Sequence, residues 1–278
     1  MSAAAPAAAP STAARPARRR GRGLPRAVYG AAGLVGFLVV VQLVPTLGIV
    51  SERYLPPTTK ILDALYQEVA SSAFWTAVAD TMQAWAIGLA IAFSAGLVLG
   101  VVIGSVPFLR AATSSTIEFL RPIPSVALIP LAVLLFGSGL SSTLLLVIYA
   151  SFWQVLVQVL YGVLDVDPVA SETARSFRFG RWARVRHVVW PTALPYVMTG
   201  LRLAAAVALI LAVTAVLVIG APGLGHEIAL AQQGGATADL YALVVATGLI
   251  GVTINMVVRA IERRALHWHP SVRAEAVT

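Results

Sequence analysis

The sequence predicts an all-α, polytopic integral membrane protein with six transmembrane helices, and three observations predict it. Of its 278 residues 58% are hydrophobic and only 12% charged, too little polar surface to cover a water-soluble globule. The apolar residues gather in windows of span length that carry no ionisable side chain, the spacing a bilayer imposes. The basic residues fall between those windows rather than on one face of a soluble domain, so the net charge of +8 orients a chain in a membrane and does not describe a nucleic-acid binder.

Residues 1–26 are Ala, Pro, Ser and Arg in low-complexity order, with six arginines from Arg15 to Arg26. Such a stretch buries too little apolar surface to offset its ordering entropy, and a disordered basic tail is expected. Residues 27–50 follow without a charge. At 24 residues this run exceeds a signal-peptide core and reads as a first span. Residues 51–79 are polar enough to lie outside the bilayer. There Ile61, Leu62, Leu65, Tyr66 and Val69 share one face of a helix that Thr58 or Thr59 could cap.

The second span lies within 81–109, uncharged for 29 residues. Residues 122–164 are uncharged for 43, too many for one crossing. The run Gly137-Ser138-Gly139-Leu140-Ser141-Ser142 divides them into a third and a fourth. The fifth occupies 203–226 and ends at Gly220-Ala221-Pro222-Gly223-Leu224-Gly225, and the sixth occupies 240–258. With six spans and the N-terminus inside, eighteen of the twenty Lys and Arg residues fall on the cytoplasmic side, leaving only Arg53 and Lys60 outside. That asymmetry predicts that both termini are cytoplasmic.

No catalytic or cofactor chemistry is legible. There are no cysteines, which removes thiolate metal sites and cysteine nucleophiles. His187, His226, His267 and His269 are scattered, so no metal is expected. No Ser/His/Asp or paired-carboxylate set shares one depth. Asp80, Glu118, Asp165, Glu172, Glu227, Asp239 and Glu262 all read as helix ends or loops, and an ion-coupled carrier needs such a group at mid-membrane. The driving energy must therefore come from a partner.

The segment 165–190 is the long, charged inner connection. Asp167 can cap a helix starting at Pro168, with Val169, Ala170, Thr173, Ala174 and Phe177 along one side and Glu172 and Arg175 off it. Gly180 breaks that helix. A second short helix places Trp182, Val185 and Val189 opposite Arg181 and Arg184, and Pro191 and Pro195 end or kink it. A compact pair of helices with an apolar stripe and charged flanks suits a groove on a cytosolic protein.

The run Glu172-Thr173-Ala174, then Pro191-Thr192-Ala193-Leu194-Pro195 and Gly200-Leu201-Arg202, resembles the "EAA" loop of binding-protein-dependent ATP-binding-cassette import permeases. Leu55-Pro56-Pro57, the stretch Glu118-Phe119-Leu120-Arg121-Pro122-Ile123-Pro124-Ser125-Val126-Ala127-Leu128-Ile129-Pro130, and Gly223-Leu224-Gly225 resemble the branch handling sulfonates, taurine and nitrate. The resemblance runs from Leu55 to Trp268. It implies a type I importer transmembrane domain in the cell membrane, a homodimeric pore, two cytosolic ATPase subunits seated on the loops, and an extracytoplasmic solute-binding protein. Substrate identity stays open among a sulfonate, taurine, nitrate and a vitamin precursor.

On that resemblance the coupling residues are Glu172, Ala174, Phe177, Gly180, Arg181 and Pro191. The position where such loops carry a turn glycine is Arg178, with Gly180 two residues later. Candidate path or gate residues are Arg121, Pro124, Pro130 and Arg202. Arg121 either faces the path and attracts anions or snorkels to the headgroups while Pro122 starts a helix. Pro122, Pro124 and Pro130 either kink a gate or are structural. Arg202 can sit at the inner interface. Gly96, Gly100 and Gly104 lie on one face, where another helix can approach. The expected organisation is a tail at 1–26, a first span and outer segment at 27–72, a permease core at 73–262 carrying the loop 165–190, and a cytoplasmic tail at 263–278.

Overall fold

The computed structural model describes residues 26–268. The tail readings at 1–25 and 269–278, with His269, lie outside the described residues. Eleven α-helices make up the described chain, joined by one 3₁₀ turn and one π turn, with no strand among the described residues. Five helical segments are long and apolar enough to cross a membrane: Val28–Thr46, Ser72–Ser105, Leu140–Leu164, Trp182–Ile219 and Thr237–Ala265.

The core is a tight seam between α3 (Ser72–Ser105) and α6 (Leu140–Leu164). Gly88, Gly96, Gly100 and Gly104 of α3 face Val147, Val155, Val159 and Val163 of α6, and a Cβ on any of these glycines would stand 2.5–2.9 Å from its valine. Small residues let two backbones approach and pack closely, which drives association where lipid is as apolar as the side chains. The offset is a constant 59 residues, from 88 to 147 and from 104 to 163, so α3 and α6 run parallel. The chain between them must therefore return across the bilayer. That crossing is made by α4 (Pro107–Leu120), the 3₁₀ turn Ser125–Leu128 and α5 (Ile129–Phe136), bent by 81°. The expected third span, starting at Pro122, is thus corrected to one that starts at Pro107, and of the two readings of its prolines the bend falls at Pro122 and Pro124. Pro122 and Pro124 remove two donors at the bend, and Tyr149 Oη of α6 donates to Leu120 O there at 2.7 Å.

On the other side α6 packs antiparallel against α9 (Trp190–Ile219). Ser151 Oγ donates to Ala204 O at 3.3 Å, and Gly162 and Gly200 sit where a Cβ would press on Ala193 and Gln158. Trp85 Nε1 of α3 donates to Ala205 O at 2.9 Å, closing a three-helix core. The helix of the fifth span begins well before residue 203, α9 itself starting at Trp190, and neither Pro191 nor Pro195 ends it. Pro191 sits in the first turn of α9, which follows directly on a π turn, and Pro195 lies inside the helix. The π turn Val185–Val189 just before it absorbs the mismatch.

At the far end Gly220 closes α9 in the left-handed conformation (φ 76°), and α10 (Leu224–Gln233) folds back on α9 and α3. Thr81 Oγ1, fully buried, accepts from Leu224 N at 2.9 Å. The last helix, α11 (Thr237–Ala265), packs on α9, α10 and α2.

The outer segment is corrected in three respects. Helix α2 (Thr58–Ala70) turns Ile61, Ala64 and Leu65 inward, while Leu62, Tyr66 and Val69 are exposed. Its N-terminus is capped from α1 (Arg26–Thr46), because Gln42 Oε1 accepts from Thr59 N at 3.0 Å and Thr58 Oγ1 donates to Leu38 O. Third, α3 starts at Ser72, where Ser71 Oγ accepts from Ala73 N, so residues 72–79 belong to this helix and Asp80 lies within it, not at its end. The 34 residues of α3 span about 51 Å, well beyond a bilayer core of about 30 Å.

Candidate functional site

The segment between α6 and α9 is built by short-range chemistry. Asp167 Oδ1 accepts from Val169 N at 2.8 Å and caps α7 (Pro168–Ser176), with Pro168 in its first turn. Ala174 is the buried residue of α7 and Ser171 is half-buried beside it. Tyr196 Oη of α9 donates to Asp165 Oδ2 at 2.9 Å, fastening the start of the loop to the helix that follows it.

The end of α7 differs from expectation. The helix stops because Arg178 adopts φ 57°, the sole non-glycine left-handed residue among the described ones. Phe179 N donates to Ala174 O at 2.9 Å and Arg178 N to Arg175 O at 2.8 Å, the paired bonds of a Schellman cap with its left-handed position filled by arginine. Gly180 is not the breaker; its carbonyl accepts from Arg184 N at 3.0 Å and leads into α8 (Arg181–Arg184). A side chain in the left-handed region costs about 1–2 kcal/mol. The position aligned with the turn glycine thus keeps the glycine's conformation without the glycine.

The surface so produced is apolar and open. Val169 is 68% exposed, Phe177 75% and Trp182 76%. Glu172 is also exposed, its backbone carbonyl accepting from Ser176 Oγ at 3.1 Å. Gly180 has open space around it, and Pro191 is half-buried at the start of α9. The Arg181 side chain lies outside the described residues. The expected stripe is narrower than the sequence implied: Ala174 faces inward, away from Val169 and Phe177.

The four candidate path residues do not form one cluster. Arg121 ends α4 at the 81° bend and is exposed, Pro124 precedes the 3₁₀ turn, and Pro130 lies in the first turn of α5. Arg202 stands apart on α9, ion-paired with Glu262 of α11, with its Nε buried and lacking a partner. It borders a cavity of about 380 Å³ between α9 and α11, lined by Leu209, Gly248, Gly251 and Val258 among others. Glu262 is a residue that sequence reasoning missed, since 60 positions separate the pair and no local pattern links them.

The opposite end of the bundle collects carboxylates. Glu227 and Asp239 open α10 and α11, and burial, then Asp239, then Glu227, raise the Glu68 pKa above the ordinary glutamate value.

The family model for the binding-protein-dependent transport system inner membrane component matches residues 92–265. The taurine transport system permease protein of Escherichia coli (strain K12) is 31% identical over 245 residues, 86% of this chain and 89% of that one. The nitrate import permease protein of Leptolyngbya laminosa is 25% identical over 193 residues, 69% of each chain. Among solved structures, the inward-facing MetNI methionine ABC transporter is similar at a TM-score of 0.61 and 19% identity, over 69% of this chain and 96% of that one.

Proposed function

The chain belongs to the family of binding-protein-dependent transport system inner membrane components, and on that footing we propose that it forms the translocation path for a small oxyanion such as a sulfonate, taurine or nitrate. It is a membrane-embedded permease subunit of an ATP-binding-cassette importer, a transport subunit and not an enzyme. The choice of an oxyanion rests on the names of the relatives, one a taurine and one a nitrate permease, both solutes with anionic oxygens.

The working unit is a homodimer of the chain in the cell membrane, with two cytosolic ATPase subunits seated on the loops and an extracytoplasmic solute-binding protein delivering cargo. Both termini are cytoplasmic, and the arginine-rich loop end faces the cytosol as the distribution of basic residues favours. Residues 73–262 form the permease core, 27–72 a peripheral span and outer segment, and 1–26 and 263–278 the tails. ATP binding closes the ATPase pair, the pair moves α7, and the path switches between inward- and outward-facing states. Glu172, Ala174, Phe177, Gly180, Arg181 and Pro191 carry the coupling. Ala174 anchors α7 to the bundle while Phe177 reaches out from it. Arg121, Pro124 and Pro130 belong to the gate at the broken span, and Arg202 supports the path from its pair with Glu262.

The observation that carries this reading is the exposure of Val169, Phe177 and Trp182 on a charged loop held at one end of the bundle. Exposed apolar side chains in water mark an interaction site. Affinity purification of tagged chain from detergent-solubilised membranes should recover an active ATPase from the wild type and none from Glu172→Lys. Normal uptake by that variant would show the docking assignment to be wrong.

A further inference from the structure

A cavity of about 720 Å³ opens at the loop end of the bundle, between the α3–α4 corner and the α7–α8 segment. Three arginines line it: Arg110 from the first turn of α4, Arg175 from α7 and Arg184 from α8. No carboxylate lines it. None of the three side chains makes an ion pair among the described residues, whose salt bridges are Lys60–Glu52 and Arg202–Glu262. Of the carboxylates nearby in sequence, Asp165 accepts from Tyr196 Oη, Asp167 caps α7, and Glu172 is exposed and outside the cavity lining. Guanidinium stays protonated at any working pH, so the cluster cannot shed its charge. The other lining groups add to the case: Ser105 and Ser171 supply hydroxyls, and α4 presents its N-terminus there without a side-chain cap.

Three arginines around one cavity with no carboxylate in its lining repel one another, and an anion bound among them would offset that repulsion. We propose that this cavity is an anion site, taking a tetrahedral oxyanion, either a free sulfate, sulfonate or phosphate or the phosphate of an anionic lipid headgroup. Its planar forks suit such oxygens through charge-assisted hydrogen bonds. Occupancy ties α4 to α7 and α8, so the anion fixes the position of the loop relative to the broken span. The site is separate from Arg121 and Arg202, and its existence does not depend on the identity of the cargo or on an ATPase.

The test uses the purified full chain in nanodiscs at constant ionic strength, with chloride exchanged for sulfate or phosphate and binding followed by calorimetry. In zwitterionic nanodiscs sulfate should bind saturably, and each guanidinium removed should weaken it about tenfold or more. Arg110→Gln/Arg184→Gln should then abolish measurable binding, while Arg259→Gln, an exposed α11 arginine, should leave it unchanged. If phosphatidylglycerol nanodiscs suppress sulfate binding, and native mass spectrometry finds that lipid retained by wild type but not by the double variant, the headgroup is the occupant. The proposal is overturned if neither anion nor lipid distinguishes wild type from the double variant. It is also overturned if the double variant keeps anion binding but loses the co-purifying ATPase, which would assign the arginines to a protein interface.

Discussion

The seam between α3 and α6 and the loop 165–190 solve opposite problems. Along the seam four glycines face four valines in one register, with Val147, Val155 and Val159 fully buried. Interiors packed this way do not deform continuously; they move as bodies or not at all. The loop has a short helix, a left-handed arginine and a π turn, with Phe177 and Trp182 in solvent. Its shape is fixed by a few capping bonds rather than by burial. The contrast teaches where force can enter and how it can travel: an irregular, exposed handle is fastened by Tyr196 and Ala174 to a core too tightly packed to absorb the displacement.

Substitutions should separate the two regions. Gly100→Leu would force a side chain into a site where a Cβ already stands 2.7 Å from Val159. The expected result is a loss of roughly 3 kcal/mol in stability and little folded protein in the membrane, checked by fluorescence-detected size exclusion and thermal unfolding. Glu172→Lys should leave that profile intact and abolish uptake, so a folding defect in this variant would blur the division between handle and core. Arg178→Gly should have the smallest effect. It relieves a left-handed side chain and should stabilise the loop by about 1 kcal/mol, read as slower limited proteolysis between α7 and α8. Faster proteolysis would show that the Arg178 side chain has a role beyond filling the turn.

Much of this was legible in the sequence. Uncharged windows located α1, α6 and α11, the Gly220 turn closed α9, and the glycines of α3 announced a close helix contact. The failures have physical reasons. A kink at the prolines of the third span was one of two readings; what was missed is that the span includes Pro107–Leu120, because Arg110, Glu118 and Arg121 interrupt the uncharged window there. Pro191 and Pro195 were read as ending or kinking the short helix before them, whereas that helix runs through a π turn into α9, with Pro191 in its first turn and Pro195 inside it. The α2 face was misjudged because Tyr66 and Val69 satisfy an apolar pattern without facing the bundle. At the site, Gly180 drew attention by composition while the turn conformation fell on Arg178. That choice is made by the bonds from Phe179 and Arg178 to the last carbonyls of α7, which depend on helix length rather than residue type.

The chain contains no cysteine, so a single Phe177→Cys substitution gives a label site with no background. Maleimide labelling of that residue, in membranes containing or lacking the co-expressed ATPase, measures directly whether the handle is covered by a partner. Strong labelling of the chain alone, protection with the ATPase present, and loss of protection on adding Glu172→Lys are the results expected. Equal labelling with and without the ATPase would contradict the assignment of α7 as the point where ATP-driven motion enters the membrane.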